Sequence, residues 1–394
     1  MKGHKKYQKQ LIVAIVFCIA LLSLIYLVAP FFSKQSYSAQ VKGAVSTTTE
    51  EKKDEFVVTH VKTPDAVKGL YMTACVAGTP SWRTKLKNLV KTTELNSIVI
   101  DIKDYSGTIS IKDPKLQGDD VTGCRVSDMR EFVAELHKEN IYVIGRVTVF
   151  QDPYYAKRHP ELAVKSKSTG GVWKDKKGLP FIDVGAKPYW DHVIEIAKTS
   201  YALGFDEINF DYVRYPSDGN MSDAHYTWTQ GTSTKADMVE KFFSYLHENL
   251  KNEGMKTSAD LFGLTTVAED DLGIGQVLVR ALPYFDYVLP MVYPSHFASG
   301  ANNIKKPAEH PYEIVHYSML EGVHRENMLK SKMGIPTSTP SKLRTWIQDF
   351  DLGAPYGVPE VKAQIKATYD VGLSSWILWD AGNKYTPEAL LPEN

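Results

Sequence analysis

Eight apolar runs of strand length, separated by stretches of helical pattern, occupy the chain from Gly69 onward. They are GLYMTACVAG from Gly69, SIVIDIKDYSGTISI from Ser97, IYVIGRVTVF from Ile141, GFDEINFDYVRYP from Gly204, KTSADLFGL from Lys256, DYVLPMVYPSHF from Asp286, KMGIPTST from Lys332 and GLSSWILWDAGNKY from Gly372. Helical pattern falls at 81–93, 127–139, 189–203, 235–252, 274–281 and 359–369. Strands that alternate with helices pair in parallel, because each crossover lays a helix on a sheet face. Eight such units predict an α/β fold, a (β/α)8 TIM barrel over residues 69–394. An open doubly wound sheet is the rival, but no Gly-rich dinucleotide or phosphate loop follows any strand. Two longer stretches, 217–234 and 298–329, each follow a strand, which puts both on the C-terminal rim where such barrels carry their sites.

Three segments precede the barrel. Residues 1–10 hold Lys2, Lys5, Lys6 and Lys9, residues 11–32 are apolar and uncharged, and residues 33–68 are polar around STTTEEKKDE. An uncharged apolar run of 22 residues suits a bilayer-spanning helix better than the shorter core of a cleaved signal, for which Ser38 and Ala39 offer a weak cleavage point. Its positive flank stays in the cytoplasm. The expectation is a cytoplasmic tail (1–10), a single transmembrane signal anchor (11–32), a flexible linker (33–68) and a barrel held outside the cytoplasm at the cell membrane. Lys plus Arg and Asp plus Glu both total 46, so no electrostatic argument points to nucleic acid as a partner. Of three cysteines, Cys18 lies in the apolar run, leaving Cys75 and Cys124 to pair or to remain buried thiols. A domain this large does not need a staple, which favours free thiols. The sequence is silent on oligomeric state.

Alternation sorts the run from Gly204 into two faces, with Glu207, Asn209 and Asp211 on one and Asp206, Ile208 and Phe210 on the other. A buried carboxylate without a partner is costly, so Asp211 needs a partner or a task. Other strand ends are also polar or aromatic: Asp101, Lys103 and Asp104, Arg146, Arg214, Asp260, Tyr293, Ser295 and His296, and Trp379 with Asp380. Any one of these alone reads as a satisfied structural residue. So many turned to one rim point to a site. Acids dominate it: Cys75 has no evident His partner, and neither a G-x-S-x-G elbow nor H-E-x-x-H occurs. His159, His192, His310 and His316 lack metal-ligand spacing. Two carboxylates across a cleft suit glycosidic bond cleavage, one protonating the leaving oxygen while the other attacks or activates water. Tyr154, Tyr155, Trp173, Tyr212, Tyr215, Tyr226, Trp228, Tyr293 and Trp379 offer flat faces to sugar rings, although about half of such a set is ordinary packing.

The segment GFDEINFDYVRYPSDG, with IVIDIKDYSG upstream and TSADLFG, PMVYPSHF and WILWDAGNKY downstream, resembles a bacterial glycosyl hydrolase domain family catalogued as a domain of unknown function. That family is placed in the TIM-barrel glycosidase superfamily, and the resemblance runs from Gly69 to the C-terminus. Chitinase-like barrels carry D-x-x-D-x-D-x-E on the fourth strand. This chain supplies Asp206, Asn209 and Asp211 but has Val213 in place of the final Glu, which argues against that mechanism. An amylase-like division of labour is closer, with Asp211 on strand four and Asp260 on strand five. The resemblance therefore implies a membrane-anchored extracytoplasmic glycoside hydrolase acting on a cell-envelope or extracellular polysaccharide. Asp211 is expected as nucleophile or general base and Asp260 as general acid, with retention of configuration by analogy. Asp101, Asp104, Arg146, Glu207, Arg214, Tyr293, His296, Trp379 and Asp380 are expected to contact substrate, with no cofactor and no metal. One alternative is a carbohydrate-binding barrel without catalysis. Another is a barrel holding a hard divalent cation on Asp101, Asp104 and Asp211, although nothing is spaced like an EF-hand loop.

Overall fold

Each of eight parallel strands pairs with its neighbours in sequence, and the last pairs with the first, so the sheet closes on itself. The strands are β1 (Lys68–Met72), β2 (Ser97–Lys103), β3 (Tyr142–Thr148), β4 (Glu207–Asp211), β5 (Lys256–Phe262), β6 (Tyr287–Met291), β7 (Thr345–Gln348) and β8 (Trp376–Trp379). The computed structural model describes residues 57–118, 120–229 and 233–393. Around the barrel run helices α1 (Pro80–Lys91), α2 (Met129–Lys138), α3 (Lys187–Ala202), α4 (Lys235–Leu250), α5 (Pro311–Lys332) and α6 (Val358–Asp370). The expected closed eight-stranded parallel barrel is present, while the helix after β5 is reduced to Leu278–Ala281 and only a 3-10 turn, Pro387–Ala389, follows β8.

The two faces of every strand do different work. Ile98, Ile100 and Ile102 of β2, Val143 and Val147 of β3, and Ile208 and Phe210 of β4 point outward into one continuous apolar layer beneath the helices. Gly145 belongs to the same layer: a Cβ there would stand 2.1 Å from Ile102 Cδ1, so its missing side chain lets β2 and β3 share one bed. Inside the barrel, Tyr71, Val99, Tyr142, Ile144, Leu289, Tyr293, Trp346 and Ile377 form a second, separate cluster. This interior is aromatic rather than aliphatic, and ring edges and hydroxyls leave room for polar partners.

Four expectations are corrected. The seventh strand is β7, not the run from Lys332, where α5 ends at Gly334 (φ +72) and residues 333–340 are exposed. A glycine at positive φ is what a helix C-terminus commonly uses. The stretch 298–329 is therefore only partly a rim insertion, because most of it is α5, whose apolar and polar residues show no clean helical stripe. Of the helix expected at 274–281 only Leu278–Ala281 forms. Residues 57–67 are not linker: they lie against the N-terminal end of the barrel, where the Val61 N–H donates to Asp206 Oδ1 (2.7 Å), the Thr63 hydroxyl to Tyr142 Oη (3.1 Å) and the Val67 N–H to Ser375 Oγ (2.9 Å). The expected transmembrane segment, 11–32, lies outside the described residues. Among the described residues no helix is long and apolar enough to cross a membrane.

Cys75 and Cys124 form a disulfide, with Cα atoms 4.9 Å apart, contrary to the free-thiol expectation. Domain size was the wrong criterion. Cys75 follows β1 and Cys124 follows β2, so the bond staples two loops on the C-terminal rim rather than compensating for a thin core. Closing a loop of this length removes unfolded-chain entropy worth about 2–4 kcal/mol. Replacing both cysteines by serine should lower the urea midpoint correspondingly, with the m-value unchanged; an unchanged midpoint would show that the two loops hold each other without the bond.

Candidate active site

The barrel interior is polar in three layers. At the N-terminal end Glu207 accepts from Arg344 (2.8 Å) and from the Tyr142 hydroxyl (2.9 Å). One layer up, Asn209 donates to Ser258 Oγ (3.1 Å) and to Asp260 Oδ1 (2.9 Å), and the Trp346 indole donates to the same oxygen (2.7 Å). At the C-terminal end Arg146 donates from Nη1 to Asp101 Oδ1 (2.7 Å) and from Nη2 to Asp211 Oδ2, while Nε faces Asp260 Oδ2 at 3.8 Å. The Tyr71 hydroxyl donates to the other oxygen of Asp101. Trp379 stacks on Tyr71 (centroids 4.1 Å) and lies 5.2 Å from the guanidinium carbon.

Burial acts against the Arg146 cation, yet the charges of Asp211 and Asp101 overrule it and hold its pKa well above normal. Burial pushes the Asp101 carboxyl up, against the pull of Arg146 and Tyr71. Asp260 is raised well above its ordinary value, first by burial and then by the charge of Asp211. Tyr293 is raised by burial and by the charges of Asp260 and Asp211.

Above this cluster opens a cavity of about 430 Å³, lined by Arg146, Asp211, Tyr212, Arg214, Phe262, Gly263, Leu264, Met291, Tyr293, His296, Phe297 and Trp379. Six of the expected residues thus meet in one place: Asp211, Arg146, Arg214, Tyr293, His296 and Trp379. Asp101 and Asp260 belong to the same cluster one step deeper, and neither lines the cavity. Three expected contacts are elsewhere. Glu207 points to the cavity's side of the sheet but sits at the far end of β4, committed to Arg344. Asp104 turns back to its own loop, accepting from the Ser106 N–H (2.8 Å) and hydroxyl (2.6 Å). Asp380 closes the turn after β8 by accepting from Gly382 (3.1 Å) and Lys384 (2.6 Å) N–H groups. Lys103, past a register shift in β2, points outward to an ion pair with Asp152 (2.9 Å). The trio suggested for a cation is not assembled, since Asp101 and Asp211 share Arg146 and Asp104 is occupied. Among the described residues no group of His, Cys, Asp and Glu is placed to hold a metal.

Tyr71, Tyr212 and Trp346 carry more of the site than their sequence positions suggested. Tyr212 adopts φ +53, an uncommon conformation for a bulky residue, and its N–H donates to Asp211 Oδ1 (2.5 Å). The chain thus turns sharply right after Asp211, which fixes that carboxylate from both sides.

Residues 69–385 match the protein family described as "Putative glycosyl hydrolase domain". The chain belongs to this family. No curated protein matches the sequence. Among solved structures, a hypothetical protein from Ruminiclostridium thermocellum is 32% identical over 52% of this chain and 98% of its own, with a TM-score of 0.42. The PgaB (BpsB) glycoside hydrolase domain from Bordetella bronchiseptica aligns over 80% of this chain and 94% of its own at 11% identity and TM-score 0.56. Alpha-L-fucosidase isoenzyme 2 from Paenibacillus thiaminolyticus aligns over 83% of this chain but 47% of its own, at 11% identity and TM-score 0.53. At such identities the last two show a shared barrel fold.

Arg146 is the counter-ion of the whole cluster. Arg146→Met should destabilise the protein by about 3–5 kcal/mol, the usual result of orphaning buried charge. The deficit should shrink as pH falls, because carboxyls whose folded pKa is raised bind protons more readily in the native state than in the unfolded one, and so cost stability only as pH rises through that window. Urea titrations across the acid range check this; a deficit independent of pH would mean that the loss is packing alone.

Proposed function

We propose that this member of the family is an extracytoplasmic glycoside hydrolase that cleaves a polysaccharide with two carboxyl groups, Asp211 and Asp260. The observation that carries the proposal is the shared edge of Arg146: Nη2 holds Asp211, which lines the cavity, and Nε faces Asp260, whose pKa burial and the charge of Asp211 raise. Environments that drive two neighbouring carboxyls apart in pKa are how one site supplies both an acid and a base or nucleophile. Asp211 is oriented by Arg146 and by the Tyr212 amide, as a nucleophile or base must be. Asp260 holds the proton destined for the leaving oxygen. Placement along one guanidinium edge favours a short separation and hence retention, for which carboxyls stand about 5–5.5 Å apart. Trp379, Tyr212 and Tyr293 supply flat faces for sugar rings.

The rim disulfide supports a location outside the cytoplasm, since such bonds persist in oxidising compartments. The apolar run at 11–32 supports tethering to the bacterial cell membrane. A cell-envelope or extracellular glycan is the substrate class such a location supplies.

A second reading, a barrel that binds glycan without cleaving it, draws on one feature: Asp211 is the only carboxylate among the cavity's described lining residues. Substitution separates the two. Asp211→Asn should cut release of reducing ends by about 10²–10⁴-fold while glycan binding persists. Asp260→Asn should cut it similarly, and wild-type activity should fall on the alkaline side as Asp260 loses its proton. A purified full-length protein that binds envelope glycans yet releases no reducing ends from any of them would establish the binding reading instead.

A further inference from the structure

From the walls of the same cavity we infer that the sugar it binds carries an anionic substituent, received by the guanidinium of Arg214. This rests on the carbohydrate-site reading above. Arg214 lines the cavity with only 7% of its surface exposed. Its guanidinium carbon lies 4.8 Å from the ring centre of Tyr212 and 4.8 Å from that of Phe262, with Phe181 at 5.9 Å. Aromatic rings cover its faces, so its N–H edge is what remains for a ligand. Nη1 donates to the Tyr215 carbonyl (3.0 Å), and among the described residues no carboxylate lies within ion-pair distance.

Arg146 shows what a buried guanidinium in this barrel otherwise receives: two carboxylates bonded and a third close by. Arg214 has five N–H donors and one protein acceptor. Burial without a counter-ion lowers its pKa, the reverse of Arg146, even though Asp211, Asp218 and Asp175 act on it from farther off. The other cationic candidate in the cavity, His296, has its pKa lowered by partial desolvation. Arg146 is claimed by Asp101 and Asp211, so Arg214 is the guanidinium of the cavity whose N–H edge no carboxylate of the described residues takes, and a carboxylate or phosphate ester matches its planar fork. The apolar wall of Phe262, Leu264, Met291 and Phe297 beside it would exclude water from that pair and strengthen it.

Calorimetric titration of the full-length protein tests this without turnover. The probes are an oligogalacturonate against its carboxyl-reduced neutral counterpart, and glucose 6-phosphate against glucose. At least one anionic probe should bind about 10- to 100-fold more tightly than its neutral partner, the range expected for a hydrogen-bonded charge, and the arm that responds identifies carboxylate or phosphate as the group. Arg214→Gln should erase the preference and Arg214→Lys should keep part of it. Equal binding of charged and neutral probes by the wild type overturns the inference whether or not the variants fold, as does a preference that survives in a folded Arg214→Gln protein. A preference for anionic sugar without bond cleavage would refute the hydrolase proposal and leave this one standing, and cleavage without the preference would do the opposite.

Discussion

Everything at the C-terminal end of this barrel depends on a single guanidinium. Asp101, Asp211 and Asp260 converge on Arg146 from three different strands, and none of the three carboxyl groups is in contact with bulk water to any useful extent. Three buried anions against one cation would be untenable. The cluster answers this by favouring protonated carboxyl: burial raises both Asp101 and Asp260, and Asp260 further feels the charge of Asp211. Identical side chains thus sit in different electrostatic surroundings according to their partners rather than their residue type.

Those surroundings are set by the layers beneath. Asn209 and the Trp346 indole both donate to one oxygen of Asp260, which directs its other oxygen toward Arg146. Under them the Glu207–Arg344 pair closes the barrel floor, with Tyr142 shared between the pair and the N-terminal segment through Thr63. Asp206, which immediately precedes β4 and alternates with Glu207, binds that same segment through the Val61 N–H and pairs with His137 (3.0 Å). One strand thus fastens the chain's entry into the barrel with one face and builds the polar axis of the interior with the other.

That division was legible in the sequence, because strand alternation is a strict period of two and GFDEINFDYVRYP shows it clearly. Alternation gives the face and not the height. Glu207 and Asp211 share a face, yet four residues of strand separate them by about 13 Å, enough to put one at the floor and the other at the cavity. Asp104 and Asp380 misled for a related reason: Asp is as much a turn residue as a chemical one, and both accept N–H groups from their own loops. β7 escaped because four residues between charged neighbours make a weak signal, and with it went Trp346. Its trace was the alternation Arg344, Trp346, Gln348, all three turned inward. The disulfide escaped because pairing depends on which βα loops meet at the rim, and no spacing in the chain encodes that.

Arg146 within β3 and Arg214 just after β4 show how one barrel can use the same group in opposite ways. Arg146 is surrounded by its own chain's acids, so its charge is spent inside the protein and serves to set proton positions. Arg214 is stacked between aromatic faces and given a single carbonyl, so its charge meets no carboxylate of the described residues. A buried guanidinium left in that state costs the folded protein stability, because desolvation is not returned by any internal partner. Tyr212 at positive φ is a second local cost, and it lies between Asp211 and Arg214 in the chain. Both costs fall within residues 211–214, of which Asp211, Tyr212 and Arg214 line one cavity, so the local stability given up coincides with a carboxylate and a cation held at fixed positions in its wall.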